Sequence, residues 1–368
     1  MEEQKKHFAI LESTSPTGKQ ALEVIDHYKS IFQVEVLTSE DQGDALIEQA
    51  LKFNPNTVVI EDEDQFEKVR DALWDEGINT YCGIESLKDV VEMQDVHQVI
   101  NALSGTKAIT PTLSALKAGK SVALSSHAPM MIAGEIISQT ALNAGAEIFP
   151  LQPGVSAIQQ CKTGERHVTI TEVAIMTTGG ILQQELEAIT KEHFNSKAGG
   201  TVSETELVNR SSLMEVGMNL ISSRLLFGFK PDQLTAIYHP QNEVDAIVKF
   251  GDGNSKWCSS NSDSNSHLIY AMAAPLRLPN PKEPSNYAWN KMEFEALKPS
   301  EHPLLDLVFT AMEEGGNAPA RLFKANEIGV SQFLEGDCSY EEMLQNIIKE
   351  FHAGQHIAKP SLEELINL

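Results

Sequence analysis

Between residues 7 and 150, short apolar runs alternate with helix-length amphipathic segments, and this alternation restricts the chain more than any other feature. HFAIL precedes GKQALEVIDHY, QVEVL precedes DALIEQALKF, and TVVIED precedes FEKVRDALWDEG. INTYCG, VHQVINAL, SALKAGKSVALSS and ISQTALNAGAEIF continue the series. Strands separated by helices of this length predict a parallel sheet covered on both faces, an N-terminal Rossmann-like α/β domain over 1–150. Two of the helices run into glycine caps, KAGK at 117–120 and NAGA at 143–146.

The pattern changes after residue 150. TITEVAIMTTGG and TAIYHPQNEVDAIVKFGDG alternate with period two, as antiparallel strands do, around LVNRSSLMEVGMNLISSRLLFG, which reads as one long amphipathic helix ending at Gly228. Residues 151–274 are therefore expected to form a central α+β domain. The Ser/Asn-rich stretch KWCSSNSDSNSH, 256–267, reads as a loop within it. Residues 275–302 read as a linker, with five prolines between 275 and 300. LLDLVFTAMEEGG, RLFKANEIGVSQFLEG and EEMLQNIIKEF then predict a C-terminal helical bundle over 303–368.

Composition excludes several roles. Lys and Arg number 28 against 52 Asp and Glu, a formal net charge of −24. No cationic excess is available to release counterions, so nucleic acid is not an expected partner. The apolar runs are too short for a membrane span, and MEEQKK lacks the apolar region of a signal peptide, which predicts a cytoplasmic protein. Cys82, Cys161, Cys258 and Cys338 are scattered without CxxC spacing and read as reduced thiols, not zinc ligands or disulfides.

Read in order, HFAILESTSPTGKQALEVI, ITPTLSALKAGKSVAL, IFPLQPGVSAIQQC, LISSRLLFGFKPDQLTAIYHPQ and GGNAPARLFKANEIGVSQFL resemble the 1-deoxy-D-xylulose 5-phosphate reductoisomerase family across roughly residues 7–345. The resemblance implies a dinucleotide domain, a central catalytic domain that also dimerises, and a C-terminal helical bundle. It also implies NADPH, a divalent cation held by three carboxylates against the substrate's ketol oxygens, and a place in non-mevalonate isoprenoid synthesis.

The places where the family keeps function are where this chain departs. Its G-S-T-G-S-I-G turn is here Glu12-Ser13-Thr14-Ser15-Pro16-Thr17-Gly18. Glycines let the backbone approach a pyrophosphate at a helix N-terminus. A Glu12 carboxylate about 4 Å from a phosphate charge would oppose it by roughly 4 kcal/mol near a protein surface. Ser15-Pro16 suits an N-cap and first helical position with no ligand at all. Ser13, Thr14, Ser15, Thr17, Gly18 and Glu40 would line a retained nucleotide site. In the next loop, Glu40 and Asp41 oppose a 2′-phosphate, which leaves loss of NADPH, replacement by NAD, or simple surface charge as readings.

The resemblance maps the metal ligands of P-V-D-S-E-H and N-K-G-x-E to Gln152, Gly154 and Asn219. Hard divalent cations take charged oxygen ligands, so a divalent metal is not expected. The lysine of A-N-K-E-S/T is His127, the S-G-G-P loop is Thr178-Gly179-Gly180-Ile181, and the H-P-N-W-x-M-G flap falls near Lys197–Thr201 without a tryptophan. Glu215 and Val216 replace the Asn-Lys pair, and Arg210 lies near the position of the family's phosphate-contacting serine. Arg210 is a candidate anion-binding group. His127 is a candidate acid/base group or, lacking an identifiable carboxylate partner, a structural histidine.

Three functions follow. One is a non-catalytic binding or regulatory paralogue, a homodimer or a heterodimer with an active family member. Another is a metal-independent NAD(P)-dependent oxidoreductase on a small anionic ligand. The last is a reductoisomerase of the usual kind.

Overall fold

The computed structural model describes residues 5–165, 168–178, 203–260, 264–281 and 291–368. It divides into two units. The first comprises Met1–Pro129, Glu135–Gln152 and Asp263–Pro284, and the second Met130–Gly134, Pro153–Ser262 and Ser285–Leu368.

The first unit is the expected Rossmann-like sheet. Strands β1 (Lys6–Leu11), β2 (Phe32–Ser39), β3 (Thr57–Ile60), β4 (Asn79–Cys82), β5 (Gln98–Asn101), β6 (Ser121–Leu124) and β7 (Ile148–Pro150) run in the order β4-β3-β2-β1-β5-β6-β7. Every pairing among them is parallel. Helices α1 (Pro16–His27), α2 (Gly43–Phe53), α3 (Glu63–Leu73), α4 (Ser86–Val90), α5 (Ile109–Lys117) and α6 (Ala128–Ala144) fill the crossovers. β3 and β5 are buried at every residue, as central parallel strands covered on both faces must be, whereas the edge strand β4 alternates with exposure. The chain leaves β1 toward β2 and later returns to β1's other side as β5. An open α/β sheet receives ligands outside the strand C-termini at such a switch point.

In the second unit α7 (Pro153–Lys162) leads into β8 (Ile170–Thr177), α8 (Glu204–Ser211), α9 (Met214–Phe227), β9 (Leu234–Tyr238), β10 (Ala246–Phe250) and β11 (Ser255–Cys258). Two expectations are corrected here. The predicted single helix is broken at Leu213, whose φ of 64° lies in the left-handed region and ends α8. The predicted antiparallel pairing holds for β8–β10 and β10–β11, but β8 and β9 are parallel, because α8 and α9 form a crossover between them.

Helix α10 (Ser264–Ala273) belongs to the first unit and not to the central domain predicted to end at 274. Leu268–Ala273 are buried with Phe8, Ile100 and Phe149, so this apolar helix seals one face of the parallel sheet. Gln98 Nε2 donates to Ala271 O at 3.0 Å, and Lys6 Nζ donates to Met272 O at 2.8 Å. Burial there pushes the Lys6 ammonium down to about 8.

The strand β12 (Glu295–Ala296) joins the edge of the second sheet, whose order is β11-β10-β8-β9-β12. Helices α11 (Pro303–Glu314), α12 (Ala318–Glu335), α13 (Tyr340–Ala353) and α14 (Leu362–Ile366) follow. The first three share one core with the sheet: Ile175, Val216, Leu220, Leu305, Val308, Phe333 and Phe351 belong to a single cluster. Ser339 with Glu342 and Ser361 with Glu364 close capping boxes on α13 and α14. Arg321 ties three helices together, donating to Phe351 O (3.1 Å), Gly354 O (2.6 Å) and the Glu314 carboxylate.

Arg321→Ala would leave two carbonyls and a carboxylate without their donor. The expected cost is about 2 kcal/mol, read as a lower urea midpoint for the transition that involves the C-terminal helices.

Candidate functional site

The turn between β1 and α1 sits at the switch point. Gly18 is held there by packing. A Cβ would lie 2.4 Å from Glu12 O and 2.5 Å from Ser13 Cα, so only glycine lets α1 approach the end of β1. Ser15 caps the helix: its Oγ accepts from Gly18 N–H (3.1 Å) and donates to Glu12 O (2.7 Å). Lys19 N–H donates to Ser15 O (2.9 Å), and Pro16 has no N–H. Several donors that a phosphate would use at this helix end are thus spent within the turn. Thr17 lies half-buried in the first helical turn.

Glu12, where the resemblance places the family's first glycine, has a left-handed backbone, with φ 56°. Its carboxylate turns inward. Thr14 Oγ1 donates to Oε1 at 2.5 Å, and Glu40 N–H donates to Oε2 at 2.9 Å. Behind Thr14 stands Ser39 Oγ at 2.8 Å, which accepts from Gln42 N–H at 3.3 Å. Donors from two loops therefore converge on one carboxylate. Ser13 is fully buried, donating to Gln49 Oε1 (2.6 Å), and Gln49 Nε2 donates back to Ser13 O (3.0 Å).

The carboxylate of Glu40 is paired with Lys107 Nζ at 2.5 Å, and Lys107 also reaches Glu61 Oε2 at 3.4 Å. Lys107 stands after β5, Glu40 after β2 and Glu61 after β3, so this bridge spans the C-terminal end of β1. Asn101 Nδ2 donates to Ala108 O (2.9 Å) and anchors the turn that carries the lysine. Burial pushes the Glu61 carboxyl up and Lys107 pulls it part of the way back, while the bond to Glu40 raises the lysine.

His127 stands at the start of α6 with a half-buried ring whose Nδ1 has no hydrogen-bond partner. Burial pushes it down to about 4, so the imidazole is neutral at neutral pH. Gln152 is tied into the first unit, its Nε2 donating to Ser125 O at 2.9 Å.

The other two metal positions lie in the second unit. Gly154, on α7, has no room for a side chain, since a Cβ would meet Ile175 Cγ2 at 2.5 Å. Asn219, on α9, is buried, with an Oδ1 that has no partner. A divalent cation does not fit this donor set, which amounts to neutral amide oxygens and a hydrogen. Among the described residues, no group of three or more His, Cys, Asp or Glu could hold a metal ion. Arg210, the predicted anion binder, is engaged by its neighbours: Nε donates to Glu215 Oε2 at 3.0 Å and Glu206 lies 3.6 Å away. Burial raises the Glu215 carboxyl, and Arg210 counteracts it. Gly179, Gly180, Ile181 and the flap at 197–201 lie outside the described residues.

Comparison with known proteins gives this arrangement a lineage. The model of 1-deoxy-D-xylulose 5-phosphate reductoisomerase matches residues 8–134, and that of the DXP reductoisomerase C-terminal domain matches 260–368. The 1-deoxy-D-xylulose 5-phosphate reductoisomerase of Bacteroides thetaiotaomicron is 31% identical over 98% of this chain and 94% of its own length. The chain belongs to the 1-deoxy-D-xylulose 5-phosphate reductoisomerase family. The fold agrees: the Zymomonas mobilis reductoisomerase in complex with NADPH superposes with a TM-score of 0.91 at 24% identity, covering 99% of this chain and 96% of that one. A DOX-P reductoisomerase in complex with NADPH, fosmidomycin and magnesium gives 0.85 at 23% identity, over 94% and 89%.

Sequence reasoning placed Glu12 in the first strand–helix turn and Glu40 in the loop after the second strand, and treated them as separate repellents of phosphate. It missed Lys107 and Glu61, which lie far apart in sequence and meet only because the strand order brings β3, β2, β1 and β5 side by side. The one available signal was that each follows a strand C-terminus.

The lowered His127 value has a testable sign. The unfolded ring titrates near the ordinary histidine value of 6.5, so the folded state binds fewer protons between that pH and about 4. The stability associated with the neutral ring is complete above pH 6.5 and is lost as pH falls through this window. Imidazole NMR should show one histidine with a midpoint near 4, absent from a His127→Gln variant.

Proposed function

We propose that this family member uses the reductoisomerase scaffold for binding or regulation, without metal-dependent reductoisomerase turnover. The observation that carries this reading is the seat of Gly154. Ile175 is fully buried and β-branched, so its methyl cannot swing away from a longer side chain without moving the core. The position has closed around glycine as well as lost its carboxylate. Gln152, bound to Ser125 O, and the neutral Asn219 are consistent with the same history.

The relatives carry the name of an active enzyme, and the Zymomonas protein was solved with NADPH. A nicotinamide dinucleotide is therefore the ligand class this scaffold inherits, NADP by descent and NAD by the character of Glu40. The resemblance also suggests a dimer, either of this chain or with an active family member. A second reading, a metal-independent NAD(P)-dependent oxidoreductase, is favoured by the neutral His127 with its unpartnered Nδ1. It is weakened by Arg210, whose charge is already neutralised by Glu215 and Glu206.

Assayed with 1-deoxy-D-xylulose 5-phosphate, NADPH and Mn²⁺ or Mg²⁺, the protein is expected to give no metal-dependent turnover. Such turnover would overturn the proposal. Gly154→Glu is expected to destabilise by about 1–3 kcal/mol through overpacking, and calorimetry should show no gain in Mn²⁺ binding.

A further inference from the structure

The crevice at the switch point contains its own anion. We infer that the Glu12 side chain is an internal ligand of the nucleotide turn, and that it is the main obstacle to a nicotinamide dinucleotide at this turn. This deepens the reading above by naming the residue that governs the inherited ligand site.

In a dinucleotide-binding sheet, the first strand–helix turn and the loop after the second strand face each other across the space that holds pyrophosphate and adenosine ribose. Here the two loops are joined directly. Thr14 Oγ1 from the first and Glu40 N–H from the second donate to the two oxygens of one carboxylate, at 2.5 and 2.9 Å. Ser39 Oγ stands 2.8 Å behind Thr14 and accepts from Gln42 N–H at 3.3 Å, which polarises the chain of donors toward Glu12. An exogenous phosphate would have to displace this carboxylate and leave it without donors, or accept like-charge contact with it.

The backbone supports the same conclusion. Glu12 holds φ 56°, a region that L side chains rarely adopt, so the turn has kept the conformation of the glycine while acquiring a side chain. The Lys107 bridge from Glu40 to Glu61 then fixes the outer loops on both sides of β1. The frame is intact and the space inside it is filled.

The test uses the full chain and two substitutions, with NADPH and NADH as separate titrants in calorimetry. Wild-type protein is expected to show no saturable binding of either. Glu12→Gly, which suits φ 56° and empties the turn, should bind at least one of them at least tenfold more tightly than wild type. Glu12→Gln keeps the volume of the side chain but loses the charge and one of the two acceptor oxygens, and is expected to bind more weakly than Glu12→Gly and more tightly than wild type. The melting curve of each variant establishes that it is folded.

Wild-type binding as tight as that of Glu12→Gly would overturn the inference. So would a folded Glu12→Gly variant that binds neither nucleotide. Glu12→Gln binding as tightly as Glu12→Gly would show that charge alone, not an internal ligand, excludes the nucleotide, and would equally overturn it. None of these results depends on turnover. Metal-dependent catalysis by wild type would strike the functional proposal independently, and nucleotide binding by Glu12→Gly without catalysis would leave that proposal standing.

Discussion

The first unit depends on the close approach of Gly18 to the end of β1. A single Cβ there would lie within 2.5 Å of backbone atoms of Glu12 and Ser13, so α1 could not pack as it does. This separates two requirements that a glycine-rich turn normally merges. One glycine serves helix–strand packing and the others serve a phosphate. The chain has a glycine at the first kind of position, Gly18, and other residues where the resemblance places the second kind.

The replacements form a consistent electrostatic set. Glu12 supplies a negative charge at a turn built to receive one, Lys107 neutralises Glu40, and Arg210 is neutralised by Glu215 and Glu206. The resemblance places carboxylates at Gln152, Gly154 and Asn219, and these positions are neutral. A burial that would be costly for an unpaired carboxylate costs little for an amide that finds a carbonyl, as Gln152 does on Ser125. Glu40 and Arg210 each have their charge balanced within the chain.

Much of the fold was legible because it rests on local periodicity. The seven parallel strands of the first unit, the glycine caps and the C-terminal helices follow from patterns within a dozen residues. Three features were not legible because they are decided by tertiary contact. The left-handed Leu213 splits an apolar stretch that reads as one helix, and nothing in its neighbours signals the break. The parallel β8–β9 pairing depends on the crossover path, since period-two alternation is blind to strand direction. Helix α10 joins the first unit because its apolar residues find the sheet around Phe8 and Phe149, although it follows the second unit's strands in sequence. The site was legible in identity but not in geometry. Glu12 was recognisable as out of place, whereas its bonds to Thr14 and Glu40 require knowing that β1 and β2 end side by side.

A turn that satisfies itself also changes what a ligand can do to the protein. Where an empty turn leaves donors to water, nucleotide binding adds interactions and stabilises the folded state by mass action. Here the donors already hold Glu12, so an incoming anion would exchange one set of charge-assisted bonds for another and release a carboxylate that still has to be accommodated. The net gain from binding is correspondingly small, even where the nucleotide fits sterically. The same bonds make the first unit less dependent on any cofactor for its order. A turn of this kind holds its order with its donors satisfied from within.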